Sequence, residues 1–363
     1  SIMDSAVVKA HGGVSDPGAD KTDKATDWLN QNSAGSGPYI MTGYTPKDRI
    51  TFKRNDKAAV RKAAIDNFLF QAAPDTSALQ QMLSKGDVDL AWGLLTEQLD
   101  ALAKDANIET ASTPMLGFLA LGMTCDPKNN KAVADPKVQQ ALKLAIDYDG
   151  IRSLREGALT PPSLVPIGLQ GALDPAKDGI KQDTAKAKQL LSDAGYASGF
   201  DATISASSTE ILGGVQDSVL AEKLQADFGD IGVNLTLDIQ DENIFRPKYR
   251  AGDIQLVIGG WYVGYPTAFD ILDNWGPLGP VSKTRFRWNA PNHPSIALIE
   301  QARKEVDDAK RADLLQQAQR ALMADAPFTT LIQPVFSYPY RKGLKGVVAN
   351  PFYNFDPSTI SRS

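Results

Sequence analysis

The chain has 363 residues, 38 basic and 43 acidic side chains and a net charge of −5 at pH 7, a composition typical of a globular protein of two or three domains. The mild acidity disfavours a surface for nucleic acid or anionic membranes, and the single cysteine, Cys125, excludes an intrachain disulfide. Two histidines, His11 and His293, leave little material for zinc or general-base chemistry, so most enzyme classes are disfavoured and neither a metal nor a cofactor is expected.

The N-terminal third of the chain predicts a hairpin followed by alternating strands and helices. The hairpin is predicted around the turn Thr45–Asp48, because Tyr39, Met41 and Gly43 alternate with other residues before it and a return strand from Ile50 to Arg54 follows it. A strand at Ile65–Gln71 precedes a helix that Asp75 caps and Gly86 ends. The alternation continues with a buried strand, a helix and a strand over VDLAWGL, TEQLDALAKD and NIETAST. It predicts an α/β lobe with at least some parallel pairing.

A second lobe is predicted to begin near Pro114 with the strand LGFLALGMT. Helical spacing predicts a helix over Pro136–Asp147, and the segment TPPSLVPIGLQGALDP is a loop long enough to be functional or to cover something. The remaining predicted elements are a helix over DTAKAKQLLSDAGY, strands over FDATISAS, VNLTLDIQ and IQLVIGGW, amphipathic helical stretches over Val215–Phe228 and Pro294–Ala324, and a returning strand in FTTLIQPVFSYPYRKGLKGVV.

Several sequence signatures of enzymes and membrane proteins are absent. The chain carries no P-loop, no dinucleotide-binding glycine motif, no nucleophile elbow and no zinc-protease motif. No apolar run approaches the roughly 18 residues that a transmembrane helix needs. The N-terminus lacks the charged and apolar regions of a secretory signal, so we expect a cytosolic protein, a mature form or a fragment. A hydrolase with paired carboxylates would need two acidic residues facing a shared cleft, and the sequence offers none at motif-like spacing.

The segment with the most functional character is Gly259–Phe269. Three large aromatics, Trp261, Tyr262 and Tyr265, follow an apolar strand and two glycines. Aromatic side chains at the carboxyl end of a strand could line a cleft and stack on a ligand, or they could pack beneath their own loop.

A second aromatic–basic cluster follows it, with Arg285 and Arg287 close in sequence to Trp275 and Trp288. The two arginines could pair with a ligand carboxylate. The alternative is that they form cation–π pairs at the surface.

Several stretches resemble, in order, the motifs of solute-binding proteins of peptide/nickel-type ABC transporters, the family 5 class that includes dipeptide- and oligopeptide-binding proteins. The match covers nearly the whole chain, although Gln139 stands where the family usually has arginine. The stretches that carry the resemblance are SGPYIMTGYTPKDRITFKRN, ALQQMLSKGDVDLAWGL, ADPKVQQALKLAIDYDGI, TAKAKQLLSDAGYASGF and AGDIQLVIGGWYVGYP.

The resemblance implies an α/β fold of the bilobal periplasmic-binding-protein type, in which two lobes joined by a hinge close on a ligand. Lobe one would contain residues 1–113 and 336–363, and lobe two residues 114–335. Family members are usually longer at the N-terminus, which implies that part of lobe one is missing here. The implied protein is a monomer without catalytic function, periplasmic or anchored at the bacterial cell surface.

The implied function is that of the substrate-binding component of an ABC importer, which captures a small organic solute in an interlobe cleft and delivers it to the membrane permease. A ligand-sensing or chaperone-type binding protein of the same fold is the alternative. The residues expected to bind the ligand are Trp261, Tyr265, Tyr262, Gly264, Phe118 near the hinge strand, and the carboxylate partners Arg285 and Arg287.

One departure from the family affects the expected ligand. In peptide binders of this class, an aspartate three residues after the motif tryptophan pairs with the α-amino group of the peptide, and Gly264 stands at that position. Loss of this charge-assisted hydrogen bond would cost about 1.5–3 kcal/mol. We therefore expect a modified or otherwise peptide-like ligand, an opine or a glycoside rather than an ordinary peptide, and we do not expect nickel.

Overall fold

The computed structural model describes residues 3–58, 61–209, 211–352 and 355–363. The chain divides into two compact units. Unit 1 comprises Ser1–Ser112, Tyr338–Ala349 and Asn354–Ser363, and unit 2 comprises Thr113–Ser337 and Asn350–Tyr353. The chain passes from unit 1 to unit 2 after residue 112 and back to unit 1 after residue 337. The lobe boundaries expected after residues 113 and 335 lie within two residues of these two positions. Among the described residues, no helix is long and apolar enough to span a membrane.

The elements are numbered in chain order. The helices are α1 (Ser5–Ala10), α2 (Ala19–Thr22), α3 (Thr26–Leu29), α4 (Thr76–Lys85), α5 (Thr96–Leu102), α6 (Pro136–Ala145), α7 (Tyr148–Ser153), α8 (Pro175–Asp178), α9 (Thr184–Asp193), α10 (Asp217–Gly229), α11 (Glu242–Ala251), α12 (Ala268–Trp275), α13 (Pro280–Arg285), α14 (Pro294–Lys304) and α15 (Asp308–Asp325). The strands are β1 (Tyr39–Thr45), β2 (Arg49–Arg54), β3 (Asn67–Gln71), β4 (Ile108–Pro114), β5 (Gly117–Met123), β6 (Phe200–Ser207), β7 (Ile211–Leu212), β8 (Val215–Gln216), β9 (Val233–Gln240), β10 (Leu256–Tyr262), β11 (Phe328–Ile332), β12 (Val335–Arg341), β13 (Leu344–Lys345) and β14 (Ser361–Arg362).

Unit 1 contains the predicted hairpin and the helix that follows it. Strands β1, β2 and β3 form an antiparallel sheet in that order. The N-cap of α4 is Asp75, whose carboxylate accepts a hydrogen bond from the Ala78 amide at 2.7 Å, and Gly86 ends the helix with a φ of 91°. A glycine is favoured there because the left-handed conformation is strained for other residues.

Two expectations for this part of the chain are wrong. The segment 88–94, expected as a buried strand, is not a strand: it forms an isolated bridge between Leu90 and Tyr340, with hydrogen bonds from the Ala91 amide to the Pro339 carbonyl and from the Arg341 amide to the Asp89 carbonyl. Ala91 and Leu94 are buried because they pack beneath α4 and α5, and Val88 is partly buried against the same cluster, which produces the same hydrophobic run as a strand would. The parallel pairing expected from the strand–helix alternation is also wrong for its first strand, because β3 pairs antiparallel with β2; parallel pairs occur in unit 2.

Unit 2 is built on a five-stranded sheet with the order β11-β5-β10-β6-β9. Strand β6 pairs in parallel with β9 and β10, whereas β5 pairs antiparallel with β10 and β11. Every residue of β5 is buried because the sheet carries an apolar cluster on each face. Alternate residues of β5 enter opposite clusters: Leu119 and Leu121 face α6, α9 and α10, while Phe118 and Ala120 face α12, α14 and α15.

Two longer segments of unit 2 were predicted only coarsely from the sequence, and the structure shows how each is folded. The Pro/Gly-rich loop covers the second apolar face, where Leu164, Val165 and Leu169 are buried. The helical stretch predicted over 294–324 is two helices, because the chain breaks after Lys304 and Asp307 caps a new helix with hydrogen bonds from two backbone amides.

Candidate ligand-binding site

The aromatic segment lies where β10 ends and the chain turns into α12. In the register of β10 against β5, Trp261 lies opposite Phe118 and Tyr262 lies opposite Gly117. The helix begins after Thr267, whose hydroxyl accepts a hydrogen bond from the Phe269 amide at 3.3 Å. The candidate residues therefore occupy the last two positions of a central strand and the short loop that leads into the first turn of a helix. This segment, residues 261–267, is called the aromatic loop below.

Asp270 ties this loop together. Its Oδ2 accepts a hydrogen bond from the indole Nε1 of Trp261 at 3.0 Å and another from the amide of Gly264 at 3.0 Å. The Asp270 side chain lies in the first turn of α12, where a negative charge is favoured, and the residue is only 5% exposed. One buried carboxylate thus fixes both the orientation of the Trp261 ring and the path of the backbone at Gly264.

The aromatic residues of the loop form an exposed surface beside this carboxylate. Tyr262 is 47% and Tyr265 is 50% exposed, and Gly264 between them is also exposed. Tyr262 stacks on Phe336 with an interplanar angle of 13°, and Trp261 is half-buried with its ring edge-on to Trp275. The structure brings together four of the expected residues, Trp261, Tyr262, Gly264 and Tyr265, and leaves ring surface available for stacking.

Phe118 is placed differently from the expectation. It is fully buried in the second apolar cluster and packs edge-on against Trp275, with ring centroids 5.4 Å apart. Its side chain points to the core because alternate residues of β5 face opposite sides of the sheet. In this structure Phe118 packs on Trp275, which in turn contacts Trp261, and its own side chain is not accessible to a ligand.

The two expected arginines lie at the other end of the sheet. The guanidinium of Arg285 stacks over the Tyr249 ring at 4.5 Å, and that of Arg287 donates a hydrogen bond to the Ala251 carbonyl at 2.6 Å. Phe286, which lies between the two arginines in sequence, accepts a hydrogen bond at its carbonyl from the amide of Cys125. Cys125 lies just beyond the end of β5, whereas Trp261 and Tyr262 pair with residues at the beginning of β5. A seven-residue strand spans roughly 20 Å, so the structure does not bring Arg285 or Arg287 to the aromatic loop.

The sequence analysis missed Asp270. Asp270 lies nine residues after Trp261, and nothing in that spacing shows that its carboxylate folds back onto the tryptophan. The only usable signal was Thr267 followed by Asp270, which is the pattern of a capped helix with an acidic first turn.

Unit 1 contains a separate apolar cleft of about 760 Å³ that the sequence analysis also missed. Its lining includes the aromatic rings of Phe68, Phe70, Trp92 and Phe355 and the acidic residues Asp75, Asp87 and Asp89. Phe70 packs edge-on against Trp92, with centroids 5.3 Å apart, and Trp92 is 40% exposed. The signal in the sequence was the alternation of Phe68 and Phe70 in β3, which predicts one apolar face of a strand.

Within the described residues, no group of three or more histidine, cysteine or acidic side chains could hold a metal ion. His293 instead caps α14 and contacts Asp325 through Nε2 at 2.9 Å, so one of the two histidines of the chain has a structural role.

The sequence matches the model of a protein family described as bacterial extracellular solute-binding proteins, family 5, over residues 3–282. The chain belongs to this family. The resemblance found in the motifs is therefore confirmed, together with the mixed α/β fold of that family.

Curated relatives and solved structures agree with this assignment. The di/tripeptide-binding protein 1 of Pseudomonas aeruginosa is 27% identical over 350 residues, covering 92% of this chain and 61% of that protein. The dipeptide-binding protein of Escherichia coli is 27% identical over 329 residues, covering 89% and 60%. The chain thus spans about three fifths of the length of these relatives.

Among solved structures, the periplasmic binding protein DppA of Helicobacter pylori, in complex with the peptide STSA, superposes with a TM-score of 0.82 at 21% identity, covering 100% of this chain and 68% of that one. AgaA of A. tumefaciens R10, in complex with agropinic acid, has a TM-score of 0.76 at 22% identity, covering 95% and 69%. These likenesses establish the fold.

Proposed function

We propose that this chain is the solute-binding component of an ABC importer, which captures a small organic solute and delivers it to a membrane permease. Membership of the family 5 solute-binding proteins supports this role. The observation that carries it is the aromatic surface formed by the exposed rings of Tyr262 and Tyr265 and the half-buried ring of Trp261, beside a buried carboxylate. Stacking surfaces combined with a few fixed polar groups are characteristic of small-molecule sites.

The proposed ligand is peptide-like, a modified peptide, an opine or a glycoside. The relatives named above are di- and tripeptide-binding proteins, and one similar structure holds an opine, agropinic acid. The aromatic rings would enclose and stack on the ligand, and the open backbone at Gly264 would let a ligand group approach closely. We further propose a monomer that acts in the periplasm or at the cell surface. The family description, bacterial extracellular solute-binding proteins, supports the location outside the cell.

A thermal-shift screen against dipeptides, opines, glycosides and nickel tests this proposal. A ligand present at a hundred times its dissociation constant adds about 2.7 kcal/mol to the free energy of unfolding, which raises Tm by several degrees. Stabilisation by one chemical class would support the proposal and identify the solute. No stabilisation by any of these classes would count against a solute-binding role for this chain.

A further inference from the structure

Asp270 is a buried carboxylate without a positively charged partner. No lysine, arginine or histidine nitrogen of the described chain lies within 4.0 Å of its oxygens. A carboxylate as buried as this one is normally paired with a cation, because an isolated buried charge is costly. The two hydrogen bonds from Trp261 and Gly264 stabilise the charge but both reach Oδ2.

The other carboxylate oxygen, Oδ1, has an unused hydrogen-bonding capacity that faces the candidate site. It accepts no hydrogen bond from the described residues, and it is not among the fully enclosed atoms that lack a partner, so it retains contact with the surface. The opening lies at Gly264: a Cβ atom built there would approach Oδ1 to 3.2 Å. Because Gly264 has no side chain and is itself exposed, the path to Oδ1 stays open.

The surroundings of Oδ1 favour a cation. The indole of Trp261 is fixed against the same carboxylate, and the rings of Tyr262 and Tyr265 are half-exposed in the adjoining loop. The faces of aromatic rings attract ammonium and guanidinium groups, and a charge-assisted hydrogen bond to a carboxylate is among the strong ones. An anionic or purely apolar group would gain neither interaction.

We infer that Asp270 Oδ1 is the anchor for a cationic amine of the ligand, reached through the gap that Gly264 leaves. This inference rests on the proposed function and adds a chemical class to it: ligands that carry an ammonium group at the end that enters the aromatic loop. It also changes the expectation drawn from Gly264. The carboxylate that is absent from position 264 is replaced from α12, so the site retains a partner for an amine.

Two dipeptide pools that differ only in the charge of the amino group test the inference. One pool carries free amino groups and includes Met-Leu, and the other contains the same dipeptides N-acetylated. Binding is measured by thermal shift and then by calorimetry on the tightest member of each pool. We expect wild-type protein to bind the free-amine pool at least tenfold more tightly, the ratio expected from one hydrogen bond to a charged group.

Three variants separate the charge of Asp270 from its positioning of Trp261. Asp270→Asn keeps the shape and an acceptor oxygen for Trp261 but removes the charge, and Gly264→Ala keeps the charge but fills the opening. Both should weaken binding of free-amine dipeptides at least tenfold and leave N-acetylated dipeptides within about twofold. Asp273→Asn, which removes a half-exposed carboxylate from the same helix, is the matched control and should bind like wild type.

Each result bears on the inference. Equal binding of the two pools by wild-type protein, or equal losses for both pools in Asp270→Asn, would overturn it while the proposed function stands. Binding of an uncharged glycoside with no binding of either pool would do the same. If dipeptides, opines and glycosides all fail to bind, the proposed function fails first and this inference with it.

Discussion

Trp261 is the residue whose substitution tests the proposed site most directly. Trp261→Ala removes a stacking surface and the hydrogen bond to Asp270, and we expect at least a tenfold loss of affinity for the solute found in the screen, because stacking and enclosure are its main contributions. Trp261→Phe keeps a ring and loses only the indole N–H, so it should lose less. Calorimetric titration with each variant, after circular dichroism has confirmed folding, measures the difference.

The matched control for Trp261 is Trp92, the half-exposed tryptophan of the unit 1 cleft. Trp92→Ala should leave the affinity unchanged if the ligand binds at the aromatic loop. The reverse pattern, a loss in Trp92→Ala and none in Trp261→Ala, would assign the ligand to the unit 1 cleft instead.

Lys143 gives the stability of unit 2 a pH dependence. Burial lowers the pKa of its ammonium to about 8, and Nζ donates a hydrogen bond to the Ala326 carbonyl at 2.5 Å. Below pH 8 the lysine is charged in both the folded and the unfolded chain, so the cost of burying the charge is fully present. As pH rises from about 8 towards 10.5, the folded chain has lost this proton and the unfolded chain has not, so stability rises.

Lys143→Met should remove this dependence. We expect the free energy of unfolding of wild-type protein to gain about 2 kcal/mol relative to Lys143→Met between about pH 7 and about pH 9.5, measured by urea denaturation. Burial also raises the pKa of Cys125 and of Tyr148, which lowers stability at the alkaline end. The contribution of Tyr148 is the same in the two proteins and cancels in the difference, whereas the pKa of Cys125 also responds to the charge of Lys143. The control is Lys137→Met, which replaces an exposed lysine of the same helix and should keep the rise in stability seen in wild-type protein. Loss of the rise in Lys137→Met, as in Lys143→Met, would contradict the assignment to Lys143.

At the scale of elements, local signals were sufficient where the sequence carries its own boundary residues. Asp75 and Gly86 delimit α4 as expected, and the turn at Thr45–Asp48 joins β1 to β2. The segment 88–94 was wrongly predicted as a strand because burial beneath helices and burial within a sheet produce the same apolar run in the sequence. Neither Asp270 nor the separation of Arg285 from Trp261 was predictable, because both depend on which ends of strands and helices meet in three dimensions.

Strand β5 shows how closely the central sheet is packed. A Cβ added at Gly122 would overlap the Phe286 ring, which lies against the strand in the second apolar cluster. Gly122→Ala should therefore cost about 1–3 kcal/mol of stability, the usual cost of overpacking a core. Urea denaturation measures it.

The control for Gly122 is Gly229, the last residue of α10, where an added Cβ meets no atom within 4 Å. Gly229→Ala should be neutral or slightly stabilising, since alanine is the better helix former. Equal destabilisation by the two substitutions would mean that the loss reflects glycine's backbone and not the ring of Phe286.

Across the whole molecule, the two units differ in how much core each contains. The buried cluster of unit 1 comprises Leu83, Ala91, Leu94, Leu99, Leu102 and Ile108, and no described residue of β1, β2 or β3 is fully buried. Unit 2 has two larger clusters, one on each face of its sheet. Regions with few buried apolar contacts open at a lower free-energy cost than regions that form a core.

We therefore expect backbone amides of β1–β3 to exchange hydrogen at least 100-fold faster than those of β5 and β10, after correction for intrinsic rates, as measured by mass spectrometry in the absence of ligand. The amide of Leu83, in the small core of unit 1, should be intermediate. Adding a solute that binds the aromatic loop should slow exchange in β10 and α12 directly, because those elements hold Trp261 and Asp270. Protection of β1–β3 equal to that of β5 would contradict the difference in core size, and a ligand effect confined to unit 1 would move the binding site to the cleft beside Trp92.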